Sequence, residues 1–96
     1  MILEELYQII EDRKKNMPKD SYVTSLFKSG RDRIIQKVGE EATEVIIAAK
    51  NKSKQRLISE VADLWFHTII LLSSSGISIN EILEELGKRN ENKSHE

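Results

Sequence analysis

The sequence predicts an all-α fold, a helical bundle of four main helices plus a short connecting helix, completed by a second copy of the chain. Three observations predict it. Apolar residues recur at spacings of three and four along almost the whole chain, as they do on helices with one packed face. Four glycines, one proline and few aromatics, set among many Leu, Ile, Glu and Lys, favour helix over strand. The breaks in periodicity fall on residues that start or stop helices: Pro18, Ser21, Gly30, Ser53, Gly76 and Ser78.

The first helix is expected over residues 2–15, with Ile2, Leu3, Leu6, Ile9 and Ile10 on one face. It stops before Pro18, because the residue preceding a proline is pushed out of the helical region. Ser21 or Asp20 then caps a helix of about two turns carrying Tyr22, Val23, Leu26 and Phe27, and Gly30 closes it. The second main helix spans residues 31–50, with Ile34, Ile35, Val38, Ala42, Val45, Ile46 and Ala49 as its core face. Lys37, Glu41, Glu44 and Ala48 form an adjacent stripe. Gly39 inside it costs about 1 kcal/mol relative to alanine and marks a close approach or a packing position. The third main helix, residues 54–75, is capped by Ser53 and is apolar nearly all round, as a buried central helix would be. A capping box, Ser78 with Glu81, opens the fourth, which carries Ile79, Ile82, Leu83 and Leu86 and weakens at Gly87. One domain over residues 1–90 with a polar tail over 91–96 follows.

A chain of 96 residues buries only a modest share of its surface alone. With more apolar circumference on the third helix than one subunit covers, a homodimer is expected. No cysteine is present, so neither disulfides nor thiolate metal sites enter. The N-terminal stretch is amphipathic and acidic, unlike a signal peptide, no segment is expected to cross a bilayer, and the cytoplasm is the expected compartment. Fifteen basic against sixteen acidic residues give no global charge for nucleic acid or an anionic membrane. Any charge-based function is local.

Two acidic patterns carry that local charge. The second helix supplies Glu40, Glu41 and Glu44; the third supplies Glu60 and Asp63 within a polar line of Arg56, Glu60, Asp63 and His67. Like charges one turn apart cost roughly 0.2–0.5 kcal/mol on a bare surface and more when desolvated. A cation reverses that sign. Two antiparallel helices joined by a short turn bring Glu41, Glu44, Glu60 and Asp63 to one point, an oxygen-donor set suited to Mg²⁺ or Mn²⁺ and, through it, to phosphates. A solvated acidic face is the better account of the first pattern taken alone, and an ion pair with Arg56 or a lysine of the second helix would account for the second. The metal reading therefore requires that the acids converge and that internal lysine and arginine do not cancel them. His67 is read as a supporting residue, and Trp65 and Phe66 as core. A di-iron site would need Glu-x-x-His on two helices, which is absent. Ser21, Lys28, Ser29, Gly30, Arg31 and Arg33 form either a phosphate-binding segment or a solvated connector.

These residues resemble a known family. The stretches SYVTSLFKSGRDRIIQKVGEEATEVIIAAKN and SEVADLWFHTIILLSSSGISINEILEELGKR, and within them Ser-Tyr-x-x-x-Leu-Phe, Lys-Val-Gly-Glu-Glu-Ala and Ala-Asp-Leu-x-x-His, are similar to the phosphoribosyl-ATP pyrophosphohydrolases of histidine biosynthesis. Those enzymes are all-α nucleoside triphosphate pyrophosphohydrolases related to MazG and the dimeric dUTPases. The resemblance implies Mg²⁺-dependent hydrolysis of phosphoribosyl-ATP to phosphoribosyl-AMP and pyrophosphate. It implies Glu41, Glu44, Glu60 and Asp63 as metal ligands, with Glu40 and Glu41 as catalytic carboxylates and Glu40 activating water or supporting a second ion. Lys37, Arg33, Arg31, Lys50 and the C-terminal Arg89 are the candidates for phosphate contacts, Lys37 and Arg33 first. The cyclohydrolase domain often fused to this family has no room here. A house-cleaning nucleotidase acting on dUTP or a damaged triphosphate, and a non-catalytic dimerisation module, are the alternatives.

Overall fold

The computed structural model describes residues 2–93, with side chains through Asn90, and is all-α as expected: five helices and, among the described residues, no strand. They are α1 (Ile2–Asn16), α2 (Tyr22–Ser29), α3 (Arg31–Lys50), α4 (Lys54–Ser74) and α5 (Ile79–Lys93).

Local chemistry fixes the boundaries. Met17, ahead of Pro18, takes a left-handed φ of 48° and turns the chain out of α1. The Ser21 hydroxyl accepts from the Thr24 amide at 3.2 Å and caps α2. Ser53 caps α4 in the same way through the Arg56 amide at 3.3 Å. Gly76, at φ 70°, ends α4 in a Schellman motif: the Ile77 amide reaches back to the Leu72 carbonyl at 2.9 Å and the Gly76 amide to that of Ser73 at 3.2 Å. Ser78 and Glu81 make both halves of the capping box, at 2.8 and 3.3 Å.

Helices α3 and α4 lie antiparallel along one another; α1 and α2 cover the far end of the pair. Ile10, Ile34 and Ile70 are the deepest side chains, surrounded by Tyr7, Val23, Leu26, Ile69 and Ile79. The Tyr7 hydroxyl donates to the Ile77 carbonyl at 2.9 Å, tying α1 to the turn before α5.

Several expectations need correction. On α1 the buried line is Tyr7 and Ile10, while Ile2 and Ile9 face solvent. On α3 the buried residues are Ile34 and Ala48, and Ile35, Ile46 and Ala49 are exposed, so the stripe with Lys37 and Glu41 is the one that meets α4. The apolar face is thus split: Ile34 is buried, Val38, Ala42 and Val45 are half-buried, and its outer edge faces solvent. Nothing comes within 4 Å of a Cβ placed on Gly39, so no close approach within this chain explains that glycine. Nor is α4 buried all round: Ile58 and Trp65 are 60% and 58% exposed.

Contrary to the expected absence of any such segment, α4 is long and apolar enough to cross a membrane by length and composition. Its two acids, Glu60 and Asp63, belong to the cluster described below. Helix α5 runs on past Gly87 to Lys93 rather than fraying from Lys88. Of the polar tail, residues 94–96, including His95, lie outside the described residues.

Candidate active site

The antiparallel pairing of α3 and α4 sets the site's geometry. Residues four apart on a helix share a face, so Lys37, Glu41, Glu44 and Ala48 form one line on α3. Arg56, Glu60, Asp63 and His67 form the line opposite on α4, in reverse order. Carboxylate oxygens of Glu41, Glu60 and Asp63 converge to within 4.8 Å of one another. Across an octahedral Mg²⁺ the farthest ligand oxygens are about 4.2 Å apart, so small side-chain rotations close the set onto a hard divalent ion. Glu44 lies one turn beyond, 3.8 Å from the Arg56 guanidinium.

Packing shelters the cluster without sealing it. The Glu41 and Glu60 side chains are 12% and 16% exposed, whereas Asp63 opens to solvent. Desolvation, a hydrogen bond with Asp63 and the negative charges of Glu44 and Asp63 push the Glu60 carboxyl above its usual value, against an opposing pull from Arg56. A carboxyl in that state gains from any cation that joins it.

Internal bases reduce this charge and do not cancel it. Lys37, 18% exposed, stands 3.2 Å from Glu41 and 3.5 Å from Glu40. Its ammonium is held protonated to higher pH by the hydrogen bond to Glu41, with desolvation working the other way and Tyr22 and the neighbouring glutamates adding to the hold. Arg33 reaches Glu40 at 3.4 Å, and Arg56 lies 3.6 Å from Glu60. Five carboxylates, from residues 40, 41, 44, 60 and 63, face three cations, leaving two negative charges.

Other residues singled out in the sequence lie apart. Glu40 points outward to Arg33, Lys37 and Gln36 rather than into the convergent trio. Arg31, at the start of α3, donates to the Ser75 hydroxyl at 2.8 Å and lies near that of Ser74 at 3.4 Å. At 1.5 Å per residue this is about 15 Å along the helix from Glu41. Lys50 is exposed at the other end of α3, about 13 Å beyond Glu41 by the same measure.

The sequence marks His67 as a supporting residue but gives no signal for its bond to Tyr22. His67 is buried, 6% exposed, and its Nδ1 lies 2.7 Å from the Asp63 backbone carbonyl while its Nε2 lies 2.7 Å from the Tyr22 hydroxyl. A carbonyl only accepts, so Nδ1 carries the proton, and in the neutral imidazole Nε2 then accepts from the Tyr22 hydroxyl. The imidazole thus ties α2 to the turn of α4 that bears Asp63. The partners are 45 residues apart, and no local pattern links them.

Comparison with known proteins agrees with the motifs. Residues 3–90 match the family model described as phosphoribosyl-ATP pyrophosphohydrolase. The chain is 51% identical over 90 residues to a phosphoribosyl-ATP pyrophosphatase of Clostridium acetobutylicum, covering 94% of this chain and 82% of that one. It is 51% identical over 92 residues to that of Hydrogenovibrio crunogenus, covering 92% and 81%. To that of Pelotomaculum thermopropionicum it is 44% identical over 93 residues, covering 97% and 95%.

Proposed function

The chain belongs to the phosphoribosyl-ATP pyrophosphohydrolase family, hydrolases of histidine biosynthesis that act on phosphoanhydride bonds, and from that premise we propose how its own residues do this work. Glu41, Glu60 and Asp63, with Glu44 beside them, hold Mg²⁺ or Mn²⁺ and cleave phosphoribosyl-ATP into phosphoribosyl-AMP and pyrophosphate. The convergence of three carboxylates between α3 and α4 carries the reading. When bound, the ion neutralises phosphate charge and lowers the pKa of a coordinated water.

The chain's part is placement. Glu41 and Glu60, shielded by packing, hold the inner side of the cluster; Asp63, on the open side, faces the incoming nucleotide. Lys37 is poised between Glu41 and Glu40 to pass to a phosphate oxygen once the carboxylates have another cation. Glu40, held outward by Arg33 and Gln36, is placed to accept a proton from water approaching from solvent, and Arg33 next to it is a second phosphate contact. Arg31 and Lys50 lie too far along α3 to meet the same phosphates unless the nucleotide extends toward them.

The working unit is a homodimer. The radius of gyration is 15.2 Å, against about 12 Å for a compact chain of this length. An apolar groove of about 390 Å³, lined by residues including Leu3, Trp65, Ile82 and Leu86, runs between α1, α4 and α5. A second copy would cover these faces. The protein then works in the cytoplasm as a single catalytic domain over residues 1–90, with residues 91–96 as a polar tail and no nucleic-acid or membrane partner.

The test is turnover with Mg²⁺ of phosphoribosyl-ATP against a panel of nucleoside triphosphates including dUTP, with products analysed after reaction in ¹⁸O-labelled water. Phosphoribosyl-AMP and pyrophosphate from the first substrate alone are expected, and none from Glu60→Gln, whose helical circular dichroism should be unchanged. Preference for another triphosphate, or full activity in Glu60→Gln, would overturn the assignment.

A further inference from the structure

Arg56 is in an odd place for a structural cation. It sits in the first turn of α4, where the helix macrodipole disfavours positive charge, and that turn holds no acidic residue. Its guanidinium reaches across to α3 and stands between Glu44 at 3.8 Å and Glu60 at 3.6 Å. Both distances exceed the roughly 2.7–2.9 Å of a well-formed charge-assisted bond. The side chain is 53% exposed, whereas Lys37, at the other end of the carboxylate line, is 18% exposed and closer to its partner. Arg56 is therefore a loosely held counter-charge, half exposed to water.

We infer that Arg56 occupies the carboxylate cluster as a resident cation that a divalent ion displaces, and that, once displaced, it binds the phosphates of the nucleotide at the end of the site opposite Lys37. This rests on the metal-site reading above. The electrostatics require competition: a guanidinium and a divalent ion drawn to the same Glu60 carboxylate repel each other, so binding one loosens the other. Because α3 and α4 are antiparallel, Lys37 lies one turn before Glu41 and Arg56 faces Glu44 one turn after it, so the two cations bracket a phosphate chain laid along the cluster. A planar fork can take two phosphate oxygens at once, which a lysine at that position could not.

The experiment separates the two roles. Mn²⁺ binding is titrated without nucleotide, by the electron paramagnetic resonance of the free ion, for the unsubstituted chain, Arg56→Gln, Arg56→Lys and Lys54→Gln. The last removes the same charge from an exposed residue two positions away that makes no contact with the cluster. Arg56→Gln should tighten Mn²⁺ about tenfold, the scale of one unit charge at this range acting on a divalent ion under partial screening, and Lys54→Gln less than about twofold. At saturating Mg²⁺, Arg56→Gln should lower kcat/KM for the nucleotide by about 10- to 100-fold, the worth of a charge-assisted bond, with Arg56→Lys between. An unchanged or weaker Mn²⁺ midpoint in Arg56→Gln would overturn the competition. Tighter Mn²⁺ with unchanged kcat/KM would overturn the phosphate role and leave Arg56 a mere counter-ion. If the unsubstituted chain binds no Mn²⁺, the metal-site reading fails and this inference with it, a result distinct from the other two.

Discussion

Replacing His67 by leucine tests whether the tie between α2 and α4 is a built part of the site. The imidazole makes two hydrogen bonds of 2.7 Å and is 6% exposed. Leucine fills much the same space and makes neither bond. At a net 0.5–1.5 kcal/mol each, the loss is about 1–3 kcal/mol, which for a domain of this size lowers Tm by roughly 5–20 °C. The two ends of the Tyr22 bond differ in exposure, and that difference sharpens the test. Tyr22 is half exposed, so its hydroxyl turns to water when His67 is gone. His67 Nε2 is buried and does not, so Tyr22→Phe leaves an unsatisfied acceptor costing about 1–3 kcal/mol. In the His67→Leu background the same Tyr22→Phe change should cost almost nothing. Urea denaturation of the four proteins in a double-mutant cycle then gives a coupling of about 1–3 kcal/mol. Additivity to within about 0.3 kcal/mol would refute the bond as a structural tie.

The acid limb of stability should have two opposing contributions. Hydrogen bonds from Lys14 and Ser73 hold the Glu11 carboxyl below its usual 4.5, so its stabilisation is complete above that pH and is lost as pH falls through the lowered folded value. Glu60, raised in the folded state, favours folding while protonated and loses that contribution as pH rises from 4.5 through the folded value. Melting curves across the acid range should therefore show a flatter acid limb in Glu11→Gln and a shallower decline above pH 4.5 in Glu60→Gln; unchanged profiles would remove these groups from the balance. Trp65→Glu, on the exposed apolar face of α4, should halve the mass seen by sedimentation equilibrium at micromolar concentration. A monomeric unsubstituted chain would end the dimer proposal.

Class, helix order and most boundaries were legible in the residues, because capping and chain breaks are local chemistry: Ser21, Ser53, Gly76 and the Ser78–Glu81 box each act within a few positions. The meeting of Glu41, Glu60 and Asp63 was legible too, since a fixed helical period and a short turn leave two antiparallel helices few registers, but Glu44, expected at the same point, lies a turn away beside Arg56. Only the tertiary structure decided which face of each helix is used. Hydrophobicity pointed to Ile34, Ile35, Val38, Ala42, Val45, Ile46 and Ala49 as the core of α3; of these only Ile34 is buried, Ile35, Ile46 and Ala49 are exposed, and the line of Lys37, Glu41 and Ala48 meets α4. A helix buries the face its neighbour can pair with, and periodicity within one segment says nothing of the neighbour. For the same reason the Tyr22–His67 bond and the reach of Arg56 across to Glu44 appear only once distant segments are side by side, whereas the Arg56–Glu60 pair, four residues apart on α4, is local.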